Sequence, residues 1–294
     1  MEWINALAQG ILLGGQYALL ACGLSLMFGV MRIVNLAHGV LAVAAAYVAL
    51  DLLQRADVSP FLTLLVVVPV FAAVGYALQR GLFNPALAHG ELSPLLVSFG
   101  LAVILTNLLQ ERYTADSRSI SIGDLGTSSI RIADGLSIGV FSLITLAVAV
   151  TVIVGVQLFL ARTRTGRAMR ATRDDTEAAR LMGIDDRHLY AMATAIAVGT
   201  VALAGVFLGM TTQFSPGYGD LVLIFAFEAV IIGGLGSLWG TLLGGLVLGV
   251  AQTVGAQVEP AYGVLAGHLV FLAVLVVRPT GLLPKVVPAR AAPE

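Results

Sequence analysis

Long apolar runs follow one another along nearly the whole chain, separated by short polar connectors that contain glycine or proline. A helix needs about 17 to 25 apolar residues to cross a hydrocarbon core about 30 Å thick, and most runs reach that length. The alternating segments of about ten residues that are typical of transmembrane β-barrels do not occur. The pattern therefore predicts an all-α, polytopic membrane protein with eight or nine transmembrane helices. The predicted spans are 8–30, 36–54, 60–79, 93–111, 139–161, 189–212, 220–236, 239–257 and 262–278.

The composition supports this class and excludes others. Of the 294 residues, 58% are hydrophobic and 11% are charged, whereas about a quarter of an average soluble domain is charged. A net charge of −1 provides no basic surface for nucleic acid. Cys22, the only cysteine, lies in an apolar run and is predicted to be a small buried hydrophobe. The first residues lack the positive charge of a signal peptide, so we expect the first run to be retained.

One strongly charged segment divides the chain. Seven of the 16 Lys and Arg residues lie in 162–187, mixed with acidic residues. Cytoplasmic placement of this segment puts twelve Lys and Arg inside and four outside, as the positive-inside rule requires. Nine crossings then place the N-terminus outside and the C-terminus in the cytoplasm. We interpret the chain as a single transmembrane domain with a first half (1–161), a charged segment (162–188), a second half (189–278) and a tail (279–294).

Two breaks interrupt the apolar pattern, one in each half, at 29–39 and 227–240. We place each break between the first two apolar elements of its half. Paired glycine-interrupted segments at corresponding positions are typical of transporters built from inverted repeats, with the pathway between the repeats. The pattern therefore predicts a translocation path at the breaks, lined by Asn35, His38, Gly39, Gly233, Gly234, Gly236 and Ser237.

Alternative roles for these residues stay open. Asn35 and His38 either line the path, since polar groups at membrane depth tend to face a cavity or the bundle interior, or cap and brace helix ends. The glycines at 233–236 either expose backbone groups to a zwitterionic solute or allow close packing. Four-residue spacing favours packing for Gly240, Gly244, Gly245 and Gly249.

Glu228 is a lone carboxylate well inside a predicted span. Intramembrane ionisable residues are functional candidates by default, so we include Glu228 among the path residues. It would take part in proton coupling, pair with a substrate ammonium group or meet a polar group on a partner subunit. His268, in the last span, is predicted to be an interhelical hydrogen-bonding residue.

The charged segment itself has helical periodicity over 167–182. Spacings of three and four place Met169, Thr172, Thr176 and Ala179 on one side, and Gly183 is a natural helix stop. We expect a short cytoplasmic helix whose small-residue face lies in a groove of a soluble partner. The alternative is a positive-inside anchor that binds no partner.

Several motifs together resemble a known family. T-G-R-A-M-R-A and D-T-E-A-A-R-L-M-G-I-D in the charged segment are similar to the cytoplasmic coupling segment of ABC importer permeases of the branched-chain amino-acid (LivH-like) type. The resemblance extends through G-L-S-L-M-F-G-V-M-R-I-V-N-L-A-H-G at 23–39, V-I-I-G-G-L-G-S-L-W-G-T-L-L-G-G at 230–245 and R-P-T-G-L-L at 278–283. It implies that the ATPase-coupling role belongs to Arg164, Gly166, Arg167, Arg170, Glu177, Ala178, Ala179, Gly183 and Asp185.

The resemblance also implies an assembly in the bacterial inner membrane. Its parts would be this subunit, a second permease subunit of a different sequence, two ATPase subunits and an external solute-binding protein. ATP and Mg²⁺ would bind the ATPases, and this chain would carry no cofactor and no catalytic residue. The external loop 112–138 would dock the binding protein, or form a cap without a partner.

A rival interpretation is a secondary transporter driven by an ion gradient, with Glu228 and His38 as proton-coupling groups. An organised cytoplasmic helix argues against it, because such a carrier needs none. An enzyme is a distant third possibility. The G-x-S-x-G match at 135–139 lies at the mouth of a span rather than in a strand–turn–helix context, and no phosphate-binding G-x-x-x-x-G-K-[ST] loop occurs.

Overall fold

The structure is a computed structural model that describes residues 2–56, 58–90, 92–133 and 136–283. Long helices dominate it. The helices are α1 (Glu2–Met31), α2 (His38–Ala56), α3 (Pro60–Leu78), α4 (Asn84–Leu87), α5 (Ser93–Tyr113), α6 (Asp124–Thr127), α7 (Val140–Arg162), α8 (Arg164–Asp174), α9 (Thr176–Leu181), α10 (Asp186–Thr211), α11 (Tyr218–Gly233), α12 (Leu238–Val258) and α13 (Tyr262–Val277). A π-helical turn (Gln79–Phe83) joins α3 to α4. Two short strands, β1 (Ser129–Ala133) and β2 (Leu136–Gly139), form an antiparallel hairpin.

The predicted spans correspond to nine of these helices, within a few residues at most ends. Seven helices are long and apolar enough to cross a membrane, with α3, the π-turn and α4 acting as one 28-residue element. α11 and α13 have 16 residues each, or about 24 Å of helix, which is shorter than a hydrocarbon core. The all-α prediction is confirmed, and the small hairpin is an addition that the apolar pattern did not indicate.

The two ends of the helix bundle differ. One end carries the charged segment, both predicted breaks and residues 278–283, and we call it the coupling end. The opposite end carries the β1–β2 hairpin, and we call it the hairpin end. α1 starts at the hairpin end, where the Nε2 of Gln9 donates to the Ser137 carbonyl at 2.7 Å. α10 starts at the coupling end, directly after the charged segment.

Helix packing shows the inverted repeat. α1 packs against α12 as α10 packs against α3, and α1 meets α11 as α10 meets α2. The pairs α2–α5 and α11–α13 match in the same way. Since α1 and α10 begin at opposite ends, the two halves are inverted copies. In this correspondence the connection 32–37 between α1 and α2 has its counterpart in the connection 212–217 between α10 and α11.

The predicted pairing of the breaks is therefore wrong. The break at 234–237 joins the second and third helices of its half, whereas 32–37 joins the first and second. The turn between α10 and α11 was not predicted to be the counterpart of the first break, because its sequence, Ser215-Pro216-Gly217, is that of an ordinary loop. Both predicted breaks nevertheless lie at the same end of the bundle.

Glycines let the central helices approach to backbone contact. A Cβ on Gly245 of α12 would lie 2.7 Å from the Gly14 carbonyl oxygen, and one on Gly244 would lie 2.7 Å from the Gly233 nitrogen. Real Cβ atoms do not approach backbone atoms so closely, so these helices could not meet with larger residues. The packing role predicted for these glycines is confirmed.

Candidate functional site

The two breaks meet at the coupling end. α1 ends at Met31, and Arg32 follows with a φ of 55°, while Gly236 in the other break has a φ of 75°. A Cβ built on Gly29 would lie 3.1 Å from the Gly236 carbonyl oxygen. The two irregular backbone segments are thus in close contact at the coupling end, and the positive φ of Gly236 favours glycine there.

Asn35 and His38 brace the first break. Both are fully buried. Oδ1 of Asn35 accepts from the Ala37 amide at 3.0 Å, immediately before α2 begins. The Nε2–H of His38 donates to the Leu20 carbonyl of α1 at 2.8 Å and so ties α2 to α1. These contacts correspond to the bracing interpretation, and a path-lining role for the two side chains stays a prediction.

Gly39 lies where α2 crosses α11. A Cβ at this position would overlap the Gly219 carbonyl and lie 2.8 Å from the Leu223 nitrogen. The glycine is therefore needed for helix contact, and in this subunit its backbone faces another helix. Its predicted approach to a solute stays a prediction.

The second break is held at both edges. Gly234 ends α11 with a φ of 106°, and Oγ of Ser237 accepts from the Gly240 amide at 3.1 Å to cap α12. The amides of Leu282 and Leu283 donate to the Ile232 and Gly233 carbonyls at 2.8 and 2.9 Å. The R-P-T-G-L-L motif thus satisfies carbonyls at the end of α11, a role that its sequence did not reveal.

The charged segment forms two helices, so the predicted single helix over 167–182 is wrong. α8 ends at Asp174, and Asp175 begins α9 as its N-cap, with Oδ1 accepting from the amides of Glu177 (3.0 Å) and Ala178 (2.9 Å). The predicted stop at Gly183 is confirmed. Its φ is 81°, and the Ile184 amide donates back to the Ala179 carbonyl at 3.1 Å, as in a Schellman motif.

Removing the Asp175 cap is expected to loosen α9 selectively. In Asp175→Ala, loss of the acceptor costs about 0.5 to 2 kcal/mol, which makes hydrogen exchange of the α9 amides about two- to thirtyfold faster. Exchange mass spectrometry on 176–182 measures this. Asp175→Asn is the control, since its side-chain oxygen still caps the helix. Equal exchange in both variants would show that the cap does not hold α9.

The small-residue face of this segment lies against the chain itself, which corrects the predicted orientation. Met169, Thr172 and Ala179 are buried. Met169 belongs to a buried apolar cluster that includes Met27 of α1 and Leu238 of α12. Gly166 packs on the end of α7, where a Cβ would lie 2.5 Å from the Leu160 Cα. The face predicted to enter a partner's groove therefore anchors α8 beneath the two breaks.

The opposite face of the segment is exposed and carries most of the predicted coupling residues. Arg164, Arg167, Glu177, Ala178, Gly183 and Asp185 are exposed, Arg170 is half-buried, and Ala179 and Gly166 are buried. Arg180 binds Asp186 through two hydrogen bonds of 3.0 and 2.8 Å, and this carboxylate raises the pKa of the Arg180 guanidinium. The pair fixes α9 to the start of α10.

Two apolar side chains project from this exposed face. Leu181 and Met182 are 86% and 83% exposed and directly precede the helix stop. We call residues 177–182 the tip. Sequence reasoning missed Leu181 and Met182 as candidates, although two adjacent apolar residues in a charged segment were a visible signal. Large apolar side chains exposed outside a hydrocarbon core often mark a protein–protein contact.

The charged segment lies next to both breaks. Gly29, Gly236, Arg170 and Arg173 line one small cavity, together with Met169. α8 also packs directly against α1, the helix that ends at the first break.

Comparison with known proteins decides the family. The model of the family described as branched-chain amino acid transport system / permease component matches residues 6–277. The chain belongs to this family. The permease is 33% identical to the high-affinity branched-chain amino acid transport system permease protein BraD of Pseudomonas aeruginosa, over 96% of each chain. It is 28% identical to LivH of Escherichia coli, again over 96% of each, and 27% identical to the probable LivH of Methanocaldococcus jannaschii, over 94% of this chain and 91% of that protein.

Glu228 and His268 form a pair inside the permease, within the helices α11 and α13 rather than in the irregular segments 32–37 and 234–237. The Nδ1–H of His268 on α13 donates to Oε1 of Glu228 on α11. The other carboxylate oxygen is buried and has no partner among the described residues. The interhelical role predicted for His268 is confirmed, and the predicted path role of Glu228 stays a prediction.

The loop at the hairpin end is bonded to the permease helices. The Arg118 amide donates to the Phe214 carbonyl, and the Phe214 amide donates to the Arg118 carbonyl, both at 2.8 Å. The Ile120 amide donates to the Gly209 carbonyl near the end of α10, also at 2.8 Å. The segment before α6 is thus paired with the α10–α11 connection, the repeat counterpart of the first break.

Proposed function

We propose that this permease is one transmembrane subunit of an ABC importer for branched-chain or related amino acids. One of two ATPase subunits binds the tip, and the two ATPases hold ATP and Mg²⁺. A second permease subunit of different sequence completes the path, and an external binding protein delivers the solute. The single observation that carries the proposal is the exposed, helix-stopped tip, whose supporting helix α8 lines a small cavity together with residues of both breaks.

The proposed orientation places the coupling end in the cytoplasm of a bacterial-type inner membrane. Twelve of the 16 Lys and Arg residues then lie inside, in keeping with the positive-inside rule. The N-terminus lies outside and the C-terminus inside. The hairpin and the 114–122 segment face the binding protein, which supports the docking role of the external loop.

The mechanism follows from rigid contacts. ATP-driven closure of the two ATPases moves the tips, and α9 transmits the motion because the Asp175 cap and the Arg180–Asp186 pair hold it to the subunit. α8 then shifts against Leu160 and the buried cluster around Met169. The ends of α1 and α11 move with it, and the path opens alternately to the two sides, with 32–37 and 234–237 at the inner gate.

The deciding experiment measures uptake of radiolabelled L-leucine by the purified assembly in proteoliposomes. We expect uptake with ATP supplied on the coupling side and none with a proton or sodium gradient alone. Uptake driven by a gradient in the absence of ATP would contradict the proposal and favour the secondary transporter.

Glu228→Gln separates the same two mechanisms within one chain. The glutamine oxygen still accepts the hydrogen bond from His268, while the ionisable group is lost. We expect ATP-driven uptake to remain close to that of the wild type. A proton-coupled carrier would instead lose accumulation, because no carboxylate would be left to bind the proton. Arg180→Ala, in the coupling segment, is the reverse control, with a predicted loss of ATP-driven uptake.

A further inference from the structure

A cavity of about 340 Å³ lies in the hairpin-end half of the bundle. Residues of α1, α7, α10 and α12 line it, together with Thr212 directly after α10 and the first residue of α11. Its lining residues are Gln9, Leu12, Leu13, Gln16, Tyr17, Ser142, Thr145, Leu208, Thr211, Thr212, Tyr218 and Thr253. The volume falls within the range of about 300 to 1,000 Å³ that is typical of small-molecule sites. None of these residues belongs to the breaks or the coupling segment.

The lining carries no charged group and combines apolar with polar surface. Nine of the twelve side chains carry a hydroxyl or amide group and the other three are leucines, while apolar atoms make up most of the surface that faces the cavity. A small solute with both an aliphatic part and hydrogen-bonding groups fits such a lining. Polar side chains at membrane depth tend to face the bundle interior or a water-filled cavity, which agrees with this fit.

The threonine hydroxyls present acceptors to the cavity. Thr145 donates its proton to the Phe141 carbonyl at 3.0 Å, and Thr253 donates to Gly249 at 3.1 Å. Thr211 likewise donates to Leu208 at 2.9 Å. Each of these protons is used within its own helix, so the oxygen lone pairs remain to accept a hydrogen bond from a ligand.

The two glutamine side chains likewise use their donors within the subunit. Gln16 is 5% exposed, and its amide donates to the Ala204 carbonyl at 3.1 Å, while its Oε1 has no partner among the described residues. Gln9 uses its amide on the Ser137 carbonyl. Each glutamine thus directs its amide group at a main-chain carbonyl rather than at a ligand.

We propose that this cavity is a transit site, within a single permease subunit, for a zwitterionic amino acid with an uncharged aliphatic side chain. The inference rests on the proposed function. Oxygen acceptors of the threonines receive the ammonium group, and the hydroxyls of Ser142 and Tyr218 donate to the carboxylate. Leu12, Leu13 and Leu208 contact the aliphatic side chain.

The floor of the cavity explains why a charged side chain is excluded. The Tyr17 hydroxyl donates to Oε1 of Gln252 at 2.5 Å, and the Tyr17 ring packs on Phe225 at 5.0 Å between centroids. Phe225 in turn stacks on His268, the partner of Glu228. Tyr17 thus separates the cavity from the buried carboxylate. A second ammonium group on the ligand would meet no counter-charge in the lining, at a high desolvation cost.

The test uses cysteine protection in membranes that contain the complete transporter. Cys22, the only native cysteine, is fully buried, so the wild-type permease serves as the unlabelled reference. Ser142→Cys and Thr253→Cys are modified with a membrane-impermeant methanethiosulfonate added from the hairpin side. We expect L-leucine to slow modification, by about threefold at a concentration of twice its Kd, and L-lysine at the same concentration to have no effect. Thr127→Cys, exposed in α6 and outside the cavity, is the labelling control.

Uptake by variants that fill the cavity gives an independent measurement. Ser142→Phe places a ring in the cavity, whereas Leu143→Phe puts the same ring on the neighbouring exposed position. ATP-driven L-leucine uptake should fall about tenfold in Ser142→Phe, equivalent to about 1.4 kcal/mol, and remain normal in Leu143→Phe.

The outcomes separate this inference from the proposed function. Three labelling results overturn the transit site: no protection by leucine, equal protection by lysine, or no labelling at either cysteine. If ATP-driven uptake is normal in the same membranes, the importer proposal stays intact. Equal uptake by the two phenylalanine variants also overturns it. Uptake that needs no ATP refutes the importer proposal whatever the labelling shows.

Discussion

Leu181→Asp combined with Met182→Asp is expected to abolish ATP-driven uptake and to release the ATPase subunits from the permease. Anchor side chains at the centre of an interface typically contribute about 2 kcal/mol or more each, so losing two weakens binding by on the order of several hundredfold. The permease itself should stay folded, because both side chains are more than four-fifths exposed and touch little of the subunit. Exposed substitutions usually change stability by about 0.5 kcal/mol or less.

Co-purification from mild detergent, together with ATP-driven uptake, measures this effect. The matched control is Leu92→Asp, which introduces the same charge at a leucine that is 74% exposed. This leucine lies in the α4–α5 connection, also at the coupling end. It should retain the ATPases. If the double variant retains them as well, the tip is not the contact, and the exposed arginines of α8 become the next candidates.

A large loss of stability is expected for Gly39→Leu. The crossing of α2 and α11 leaves no room for a Cβ, because backbone atoms of Gly219 and Leu223 occupy the space. A backbone cannot rotate away as a side chain does, so the helices must separate, at a cost of about 3 kcal/mol or more. Loss of this crossing also removes the contact between the start of α2 and α11, and leaves α10 as the main second-half neighbour of α2.

Gly155→Leu is the matched control for this variant. A Cβ at Gly155 of α7 meets nothing within 4 Å, and leucine favours a helix over glycine by about 1 kcal/mol or slightly less. Thermal unfolding in detergent, followed by the loss of monodisperse protein, should show a marked decrease for Gly39→Leu and no decrease for Gly155→Leu. Similar melting of both variants would mean that the crossing contributes little.

The sequence allowed accurate placement of helices because each apolar run is long and bounded by strong turn signals. Ser59-Pro60 and Ser93-Pro94 mark the starts of α3 and α5 within one residue, since proline suits the first turn of a helix. The stop at Gly183 followed from the same kind of local rule. Local chemistry decides such boundaries, so the sequence alone was sufficient.

The break at Asp175 was also encoded locally, but helical periodicity concealed it. Asp175 is a good N-cap residue, and the apolar spacing of Met169, Thr172, Thr176 and Ala179 continues through it as if the helix were unbroken. Tertiary packing decides whether the resulting small-residue face points toward the subunit or away from it. A stripe of small residues fits against a partner and against its own subunit equally well, and only packing distinguishes the two.

The cavity could not be predicted from the sequence for a similar reason. Gln16, Thr145 and Thr253 are isolated polar residues in three apolar runs far apart in sequence. Singly, each one is ordinary, because a threonine in a membrane helix satisfies its hydroxyl on the preceding turn. Their convergence depends on how α1, α7 and α12 cross, which the period of the apolar pattern does not specify.

The pairing of the Arg118 segment with Phe214 and Gly209 uses main-chain atoms only. The hydrogen bonds of this connection are therefore the same whichever side chains the loop displays to solvent, while the buried side chain of Ile120 adds apolar packing against Gly209. Substitutions at exposed positions can thus change the outer surface of the loop while its attachment to the membrane helices is preserved. On the proposed function, such a permease can adapt to another binding protein in evolution without any change at its gate.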